Sequence, residues 1–454
     1  MLIRFVVSNY LSFGEEAEFN TLTGSPRRFK EHIYTFDGLE LLKTAAIYGP
    51  NGAGKSNLVR AMLLLRELVL SGEGLEGFRA QPFRLRAELA DQPTRLEVEF
   101  VIEGQAYSYG LDLLAGQVWE EWLYQTGVKK EELIFLRKTT NGQTNIEMGE
   151  RFLQTPEDRL RVQLYEEELL PDSQLLLHLL ANAKKIFPEI QQVHGWFDEH
   201  LTIIDAGSKA PFLSGAFVLS PYFRAFANDL LKTLHTGVYE LDLETIDLDR
   251  YFGEDDREEA AQIRSRLMKD REEMEYIQEF QTPLWAVALW EGDRIVVKRL
   301  VTKHQNEKGE LVRFEMTEES DGTLRILDFA PALYSIVQSP KTVIVDEIDQ
   351  SIHPYLLKQL IAKFVGNPNT KGQLIFTTHE SNLLDQDIFR QDEIWFAEKK
   401  PSGETALYPL SDFNIRFDLD IQKGYLNGRF GAIPFLGNLK DLNWDVYAAE
   451  EQGV

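Results

Sequence analysis

The sequence predicts an α/β protein with a parallel sheet, an antiparallel β subdomain and an inserted α-helical domain. Three stretches carry that expectation. In Lys43–Arg60 (KTAAIYGPNGAGKSNLVR) a buried-strand pattern at Ala45–Tyr48 meets a glycine-rich loop and then a helical pattern, with Leu58, Ala61, Met62 and Leu65 on one face. Leu96–Arg137 holds alternating segments separated by turns such as Glu103-Gly104 and Ala115-Gly116, which reads as an antiparallel meander. From Pro156 to Gln281 the pattern is helical, and strand character returns at Leu284–Trp290, Arg294–Lys303 and Leu311–Met316. The expected organisation is residues 1–150 as one half of the main α/β body, 151–283 as a helical insertion able to offer a partner or oligomer surface, and 284–454 as the second half.

The chain has 454 residues, enough for about two or three domains with ample core. It carries 48 lysines and arginines against 73 acids, a net charge of −25. Such a field repels nucleic acid, so a protein partner is the better expectation. The absence of cysteine excludes disulfides, thiolate zinc sites and a cysteine nucleophile. No apolar run is long enough to span a bilayer, and MLIRFVVSNYLSF lacks the basic start and cleavage site of a signal peptide. A cytoplasmic location without a membrane partner is expected.

In chain order, Leu2–Ser8 reads as a strand, Asn9-Tyr10-Leu11-Ser12-Phe13-Gly14 follows, and a second strand is expected near Glu16–Leu22. Gly49–Ser56, GPNGAGKS, has the strand-loop-helix setting of a nucleotide-binding P-loop. Gly49, Gly52 and Gly54 allow successive N–H groups to turn inward as an anion nest, and the helix N-terminus adds partial positive charge. Lys55 is expected at the β- and γ-phosphates and the Ser56 hydroxyl on Mg²⁺, with Asn51 and Asn57 completing the nucleotide lining. The chain is expected to bind ATP or GTP. A glycine-punctuated loop, Ser71–Phe78, comes next.

Asp255–Phe280 is highly charged with apolar residues such as Ile263, Leu267 and Ile277, the pattern of a solvated helix with one apolar stripe or of a partner-docking surface. Glu319–Thr323 precedes an apolar helix through Leu324, Leu327, Ala330 and Leu333; Ser320 is either an ordinary N-cap or, with the Gly322 N–H, a group presented to a phosphate. Thr342–Val345 is a β-branched strand ending in Asp346-Glu347. By itself this could be a strand meeting solvent; after a P-loop, Asp346 fits a carboxylate holding Mg²⁺ and Glu347 one that polarises the attacking water. Asp349 lies in the loop that would face a second subunit. Gln373–Thr377 is a further buried strand, and His379 just past it is either a core histidine or, preferred here, a γ-phosphate sensor.

The P-loop, Ser-x-Gly-Thr at 320–323, the strand with Asp-Glu-x-Asp at 346–349 and the strand with Thr-His at 378–379, in that order, resemble the ABC-type ATPase heads of SMC, RecF and OLD proteins. Asn9–Phe13 looks like the first-strand motif of those heads. The ending Tyr425–Pro434 is similar to stand-alone bacterial AAA family ATPases of RloA- or AbiLii-like type from phage-defence islands. The resemblance implies an ATPase head split by an insertion, with ATP and Mg²⁺ as cofactors. It further implies that Ser320 and Gly322 act in trans, so that two ATP molecules are sandwiched in a head-to-tail homodimer with Asp349 at the joint. The sequence departs from the family in carrying Ser-Asp-Gly-Thr instead of the fuller LSGGQ signature and Leu11 where a basic residue is usual, and Gln81 is only a candidate for the glutamine loop.

The expected function is a defence ATPase, a sensor or scaffold whose ATP-dependent dimerisation controls a separately encoded effector such as a Toprim-type nuclease. The alternative is a repair or recombination ATPase that clamps DNA, which the acidic balance disfavours. A transporter motor is weaker still. A nuclease within this chain is not expected, because Asp418-Leu419-Asp420 lies in a tail too short for a Toprim domain.

Overall fold

Every residue of Thr44–Tyr48 is buried, and alternate side chains serve different cores. Ala45 and Ile47 face one, Ala46 and Tyr48 the other. A strand covered on both faces is what a central parallel strand requires, and it explains why the run is continuously apolar. The computed structural model describes residues 1–24, 28–72, 81–127, 131–140, 142–183, 187–207, 213–254, 256–273, 277–279, 285–413 and 415–433. The loop expected at Ser71–Phe78 beyond Gly72, the 283/284 boundary, Asp255, Phe280, Gln281, Leu284 and Pro434 lie outside the described residues.

The chain opens with β1 (Leu2–Ser8) and β2 (Ala17–Asn20), the hairpin β3 (Ile33–Phe36) and β4 (Leu39–Leu42), then β5 (Thr44–Tyr48) and α1 (Lys55–Ser71). The meander follows as β6 (Thr94–Ile102), β7 (Gln105–Leu114), β8 (Gln117–Thr126), β9 (Glu132–Thr140) and β10 (Gln143–Met148). With β1 and β2 it makes an antiparallel sheet ordered β10-β9-β8-β7-β6-β1-β2.

Next come α2 (Pro156–Leu164), α3 (Leu176–Ala181), α4 (Pro188–Gly195), β11 (Leu201–Ile204), α5 (Leu213–Leu219), α6 (Pro221–Thr233), β12 (Glu240–Asp247), α7 (Leu248–Phe252), α8 (Arg257–Glu273) and β13 (Ile277–Glu279). The strands β14 (Ala286–Glu291), β15 (Arg294–Gln305) and β16 (Leu311–Glu315) lead to α9 (Asp321–Gln338), β17 (Thr342–Val345), α10 (Pro354–Val365), β18 (Gln373–Thr378), β19 (Ile394–Lys399), β20 (Thr405–Pro409) and α11 (Ile421–Leu426). The main sheet runs β11-β17-β18-β5-β19-β20, parallel except for β20.

The reading of 151–283 as a helical insertion therefore needs correcting. β11 belongs to the main sheet beside β17, and β12 pairs with β15 in a second antiparallel sheet. Leu201–Ile204 is too short to display a period. β12 carries acids that resemble a solvated helix face, but they find cross-strand cations: Lys303 pairs with Glu240 and Asp242, and Arg299 with Glu244. The charged helix is α8. Its Ile263 and Leu267 are buried against β14 and β15, so the stripe covers a sheet, and Ile277 lies in β13 instead.

α1 packs between the two large sheets, with Leu58, Val59 and Leu65 in one core shared by Phe5, Leu96 and Ile375. On the far face, α9 and α10 cover Val343, Val345, Leu374 and Phe376. One buried glutamine joins the sheets. Gln373 accepts the Leu2 N–H at 2.9 Å and donates to the carbonyls of Leu2 and Leu42 at 3.1 and 2.9 Å.

A second buried polar group ties the meander to α3. Glu121, without exposed surface, accepts the Leu176 and Leu177 N–H groups at 2.7 and 2.9 Å and the Tyr109 hydroxyl at 3.1 Å. Arg137, equally buried, lies 3.8 Å away and donates to the carbonyls of Pro171 and Gln174. Burial pushes the Glu121 carboxyl up, and Arg137 and the helix N–H groups oppose it. Glu121→Ala is expected to lose about 3–5 kcal/mol of stability, since Arg137 would be left a buried charge without its partner. Urea unfolding measures this, and a loss no larger than that of an exposed substitution would contradict it.

Candidate functional site

β18 and β5 end level, with Thr378 opposite Tyr48, and β17 ends two residues short of them, Val345 standing opposite Phe376. The three segments that leave these ends are the Asp-Glu run, the Thr-His run and the glycine loop. Parallel pairing thus gathers motifs far apart in sequence at the carboxyl ends of adjacent strands, the usual place for a site in such a sheet.

The glycine loop is held from behind. A side chain on Gly54 would meet Thr405 Oγ1 at 1.9 Å, and one on Gly49 would meet the Ala397 carbonyl at 2.3 Å. Gly54 also stands at φ 105, where a larger residue is strained. It precedes α1 without any side-chain cap, and no acid occupies the first turn, so the first N–H groups of a 17-residue helix face outward unsatisfied by a side chain. Ser12 braces this arrangement: its hydroxyl accepts from Asn57 at 2.8 Å and is 2.7 Å from Thr405 Oγ1, which donates to the Ala53 carbonyl at 2.8 Å. Asn57 therefore serves the loop's support as well as lining a cleft of about 330 Å³ with Leu11, Gln81, Phe83 and Lys399. Asn51 and Gly52 are exposed at the loop tip, and Ser56 is half-buried in the first turn of α1.

The first-strand motif gains a physical account here. Asn9, buried at φ 49, donates to the carbonyls of Leu89 and Gln92 at 2.8 Å each and accepts the Phe83 N–H at 3.1 Å. It pins the segment that carries Gln81 against β1. Leu11 joins in, donating its N–H to the Gln81 carbonyl at 2.8 Å.

Lys55 is 4% exposed, and its ammonium donates to the carbonyls of Gly49 at 2.8 Å and Pro50 at 3.3 Å. The His379 ring lies 3.1 Å away at Nε2. Burial lowers the lysine pKa to about 8, while Asp346, Glu347 and Asp349 pull it back up. His379 is also pushed down, first by burial and then by Lys55, with Asp349 and Glu347 opposing. A lysine held in this way has a site fitted to polyanionic phosphate: outward-facing N–H groups, a desolvated cation and no side chain filling the cradle.

Asp346 is buried, its Oδ1 accepting from Thr377 Oγ1 at 2.5 Å and its N–H bonded to the Ile204 carbonyl of β11 at 2.8 Å. Glu347 stands at φ 51, its side chain half-exposed and 4.0 Å from His379 Nε2. Asp349 accepts the His379 N–H at 3.3 Å within the same chain. These five residues (Lys55, Asp346, Glu347, Asp349 and His379) form one cluster.

Ser320 lies apart from these contacts, exposed at the start of α9, where its hydroxyl accepts the Thr323 N–H at 3.2 Å as an N-cap. Gly322 passes so close to the loop after Asp349 that a side chain would meet the Ser351 carbonyl at 2.7 Å. Sequence reasoning missed Arg325 on the same helix. Its guanidinium is buried, stacks over Phe329 at 4.6 Å and interacts with Asp328, Asp205, Asp346 and Glu347. An arginine in the apolar run Thr323–Ala330 was the available signal. Thr377 and Thr405 were also missed, since a threonine in a strand carries no mark of its own.

A family model described as "AAA domain, putative AbiEii toxin, Type IV TA system" matches residues 45–385. Among solved structures, the chain is similar to an SMC head domain from Thermotoga maritima (12% identity, TM-score 0.37, covering 90% of this chain and 98% of that one). It is also similar to an SmcHead bound to the C-winged helix domain of ScpA (12%, 0.39, 91% and 99%). A third is an Smc head with an extended coiled coil bound to the C-terminal domain of ScpA derived from Pyrococcus furiosus (12%, 0.39, 94% and 98%). Comparison with curated proteins gives no match. The family match runs from β5 through the Asp-Glu and Thr-His segments to Asp385, and the chain belongs to this family of AAA domains.

Proposed function

We propose that the chain is a Mg²⁺-dependent ATPase whose two sites are completed by head-to-tail dimerisation, acting as sensor or scaffold in antiviral defence and controlling a separately encoded effector, a nuclease. The observation that carries the ATPase reading is the convergence of Lys55, Asp346, Glu347, Asp349 and His379 beside the uncapped start of α1. ATP would supply the phosphoanhydride and Mg²⁺ the charge neutralisation that makes it cleavable. Gly49, Gly52 and Gly54 leave room for the phosphates against the loop, Lys55 offers its ammonium, and Ser56 and Asp346 are the residues that would hold the ion. Glu347 takes a proton from water at its half-exposed carboxylate, and His379 orients the group transferred. Ser320, exposed at the tip of α9, is free to face a partner copy.

The family's description as putative toxins of type IV toxin–antitoxin systems supports a defensive setting. In the Asp-x-Asp run, Asp418 pairs with Arg416 at 2.9 Å and Asp420 caps α11, so both acids have local structural roles.

Nucleotide affinity should depend on pH in a defined direction. In the free chain Lys55 loses its proton near pH 8. Phosphate beside it favours the ammonium, so binding takes up a proton above that pH. Affinity should fall by about tenfold per unit as the pH rises above 8. Calorimetry in buffers of different ionisation enthalpy measures both effects, and affinity that rises with pH would contradict the role of Lys55. Lys55→Ala should abolish binding.

Duplex DNA should bind weakly, with steep loss in salt, because the net charge of −25 opposes it. A tight complex at physiological salt would favour a DNA-clamping ATPase.

The composite site is tested by mixing two variants. Glu347→Gln should retain ATP but stop turnover, while Ser320→Arg should block the trans face and leave cis binding intact. A mixed dimer holds one site with every part intact. Partial ATPase recovery from two nearly inactive proteins, once folding and subunit exchange are established, is the expected result. No recovery at any ratio, or full activity of Ser320→Arg alone, would sink the shared site.

A further inference from the structure

Where β17 ends, three successive residues turn to a single neighbour on β18. Thr377 has no exposed surface. Its hydroxyl accepts the Glu347 N–H at 2.8 Å and lies 2.5 Å from Asp346 Oδ1, and its carbonyl accepts the Ile348 N–H at 3.1 Å. The hydroxyl has one proton and two lone pairs. Glu347 N–H can only donate, so the proton goes to Asp346, as a charge-assisted bond in a desolvated position. Asp346 is thereby fixed through Oδ1, with Oδ2 left for other use.

The same hydroxyl holds the backbone of Glu347, which stands at φ 51, a region that L residues other than Asn and Asp seldom occupy. A residue held there needs its surroundings to impose the conformation. Thr377 imposes it from both sides of the peptide, through its hydroxyl to residue 347 and its carbonyl to residue 348. Thr378 makes an instructive contrast. Equally buried, its hydroxyl accepts the Glu380 N–H at 3.0 Å and touches neither acid.

We propose that Thr377 is a positioning residue for ATP hydrolysis, its one hydroxyl aiming the Asp346 carboxylate and holding Glu347 in the conformation that presents it to the site. The role rests on the ATPase reading above. It predicts a separation that a merely structural threonine would not produce: turnover should suffer while nucleotide binding, which belongs to the P-loop, is spared.

The full-length chain and its Thr377→Val, Thr377→Ser and Thr378→Val variants are compared for kcat, KM for ATP, the Mg²⁺ concentration at half-maximal rate, and affinity for a non-hydrolysable ATP analogue. Thr377→Val should lower kcat by about 10²-fold, the scale of a catalytic group displaced by an ångström, with analogue affinity within a few-fold. Its Mg²⁺ requirement should rise, and Thr377→Ser should restore most of the rate. Thr378→Val should stay near the parent. Should Thr377→Val not fold, Thr377→Ser and Thr377→Ala form a pair differing only in the hydroxyl, and the serine variant should be at least tenfold faster. Equal rates in that pair, an unchanged rate in Thr377→Val, or an equal loss in Thr378→Val would overturn the proposal. So would a loss of analogue binding as complete as in Lys55→Ala. Failure of the ATPase reading is seen separately, in the parent chain: if that chain binds no analogue, both fall together, whereas a parent that binds and turns over isolates the question to Thr377.

Discussion

The parallel ladder through β17, β18 and β5 is the constraint on which the site depends. Its register sets Thr378 opposite Tyr48, so the histidine and the glycine loop leave the sheet together, and the acids start two residues below them, after Val345. Adjacent strands lie only about 5 Å apart, which sets the site's dimensions before any side chain is chosen. The ladder also dictates sequence. Buried on both faces, these strands must be short, apolar and branched, and their polar residues must fall at the ends. Gln373 and Thr342 meet at one end, where the second sheet is attached; Thr377 and Asp346 meet at the other.

Charge is the second constraint. The acids lie between two buried cations, Lys55 from α1 and Arg325 from α9, and both feel Asp346 and Glu347. Neither helix could bring its cation there alone without a large desolvation cost, and the acids would suffer the same if left unpaired. Each side thus stabilises the other's burial. Lys55 is also held by the carbonyls of Gly49 and Pro50, which supply no full charge.

The parts legible in the sequence were those whose chemistry forces a local pattern. Glycines at Gly49 and Gly54 are dictated by close approach, Lys55 by the loop, and the β-branched run before Asp346 by burial on both faces. The meander was legible from β6 to β9, which alternate over long stretches with turns between them, whereas β10 was not read. What escaped depends on partners distant in sequence. β11 is four residues without a period, β12 hides its strand character under acids neutralised by Lys303 and Arg299, and the hairpin β19–β20 closes the sheet beyond β5 without any marked motif. Thr377 and Thr378 are neighbours of the same type, and only the three-dimensional ladder tells which hydroxyl faces the acids. Asp349 was expected at a subunit joint; within the chain its carboxylate holds the His379 backbone.

β11 also changes how the middle of the chain relates to the site. Without it β17 would be an edge strand, with open N–H groups where the acids begin, and edges of that kind invite mispairing. Leu201–Ile204 covers this edge over its whole length, and the ladder is extended by the bond from Asp346 N–H to the Ile204 carbonyl. Asp346 is therefore held by three segments: its own strand, β18 through Thr377, and β11. The chain between β10 and β14 is not an appendage on a completed sheet. It supplies one side of the acid's setting, and Asp205, the next residue after β11, lies among the carboxylates around Arg325. A displacement of this region at β11 reaches the backbone of the residue before Glu347 through a single hydrogen bond.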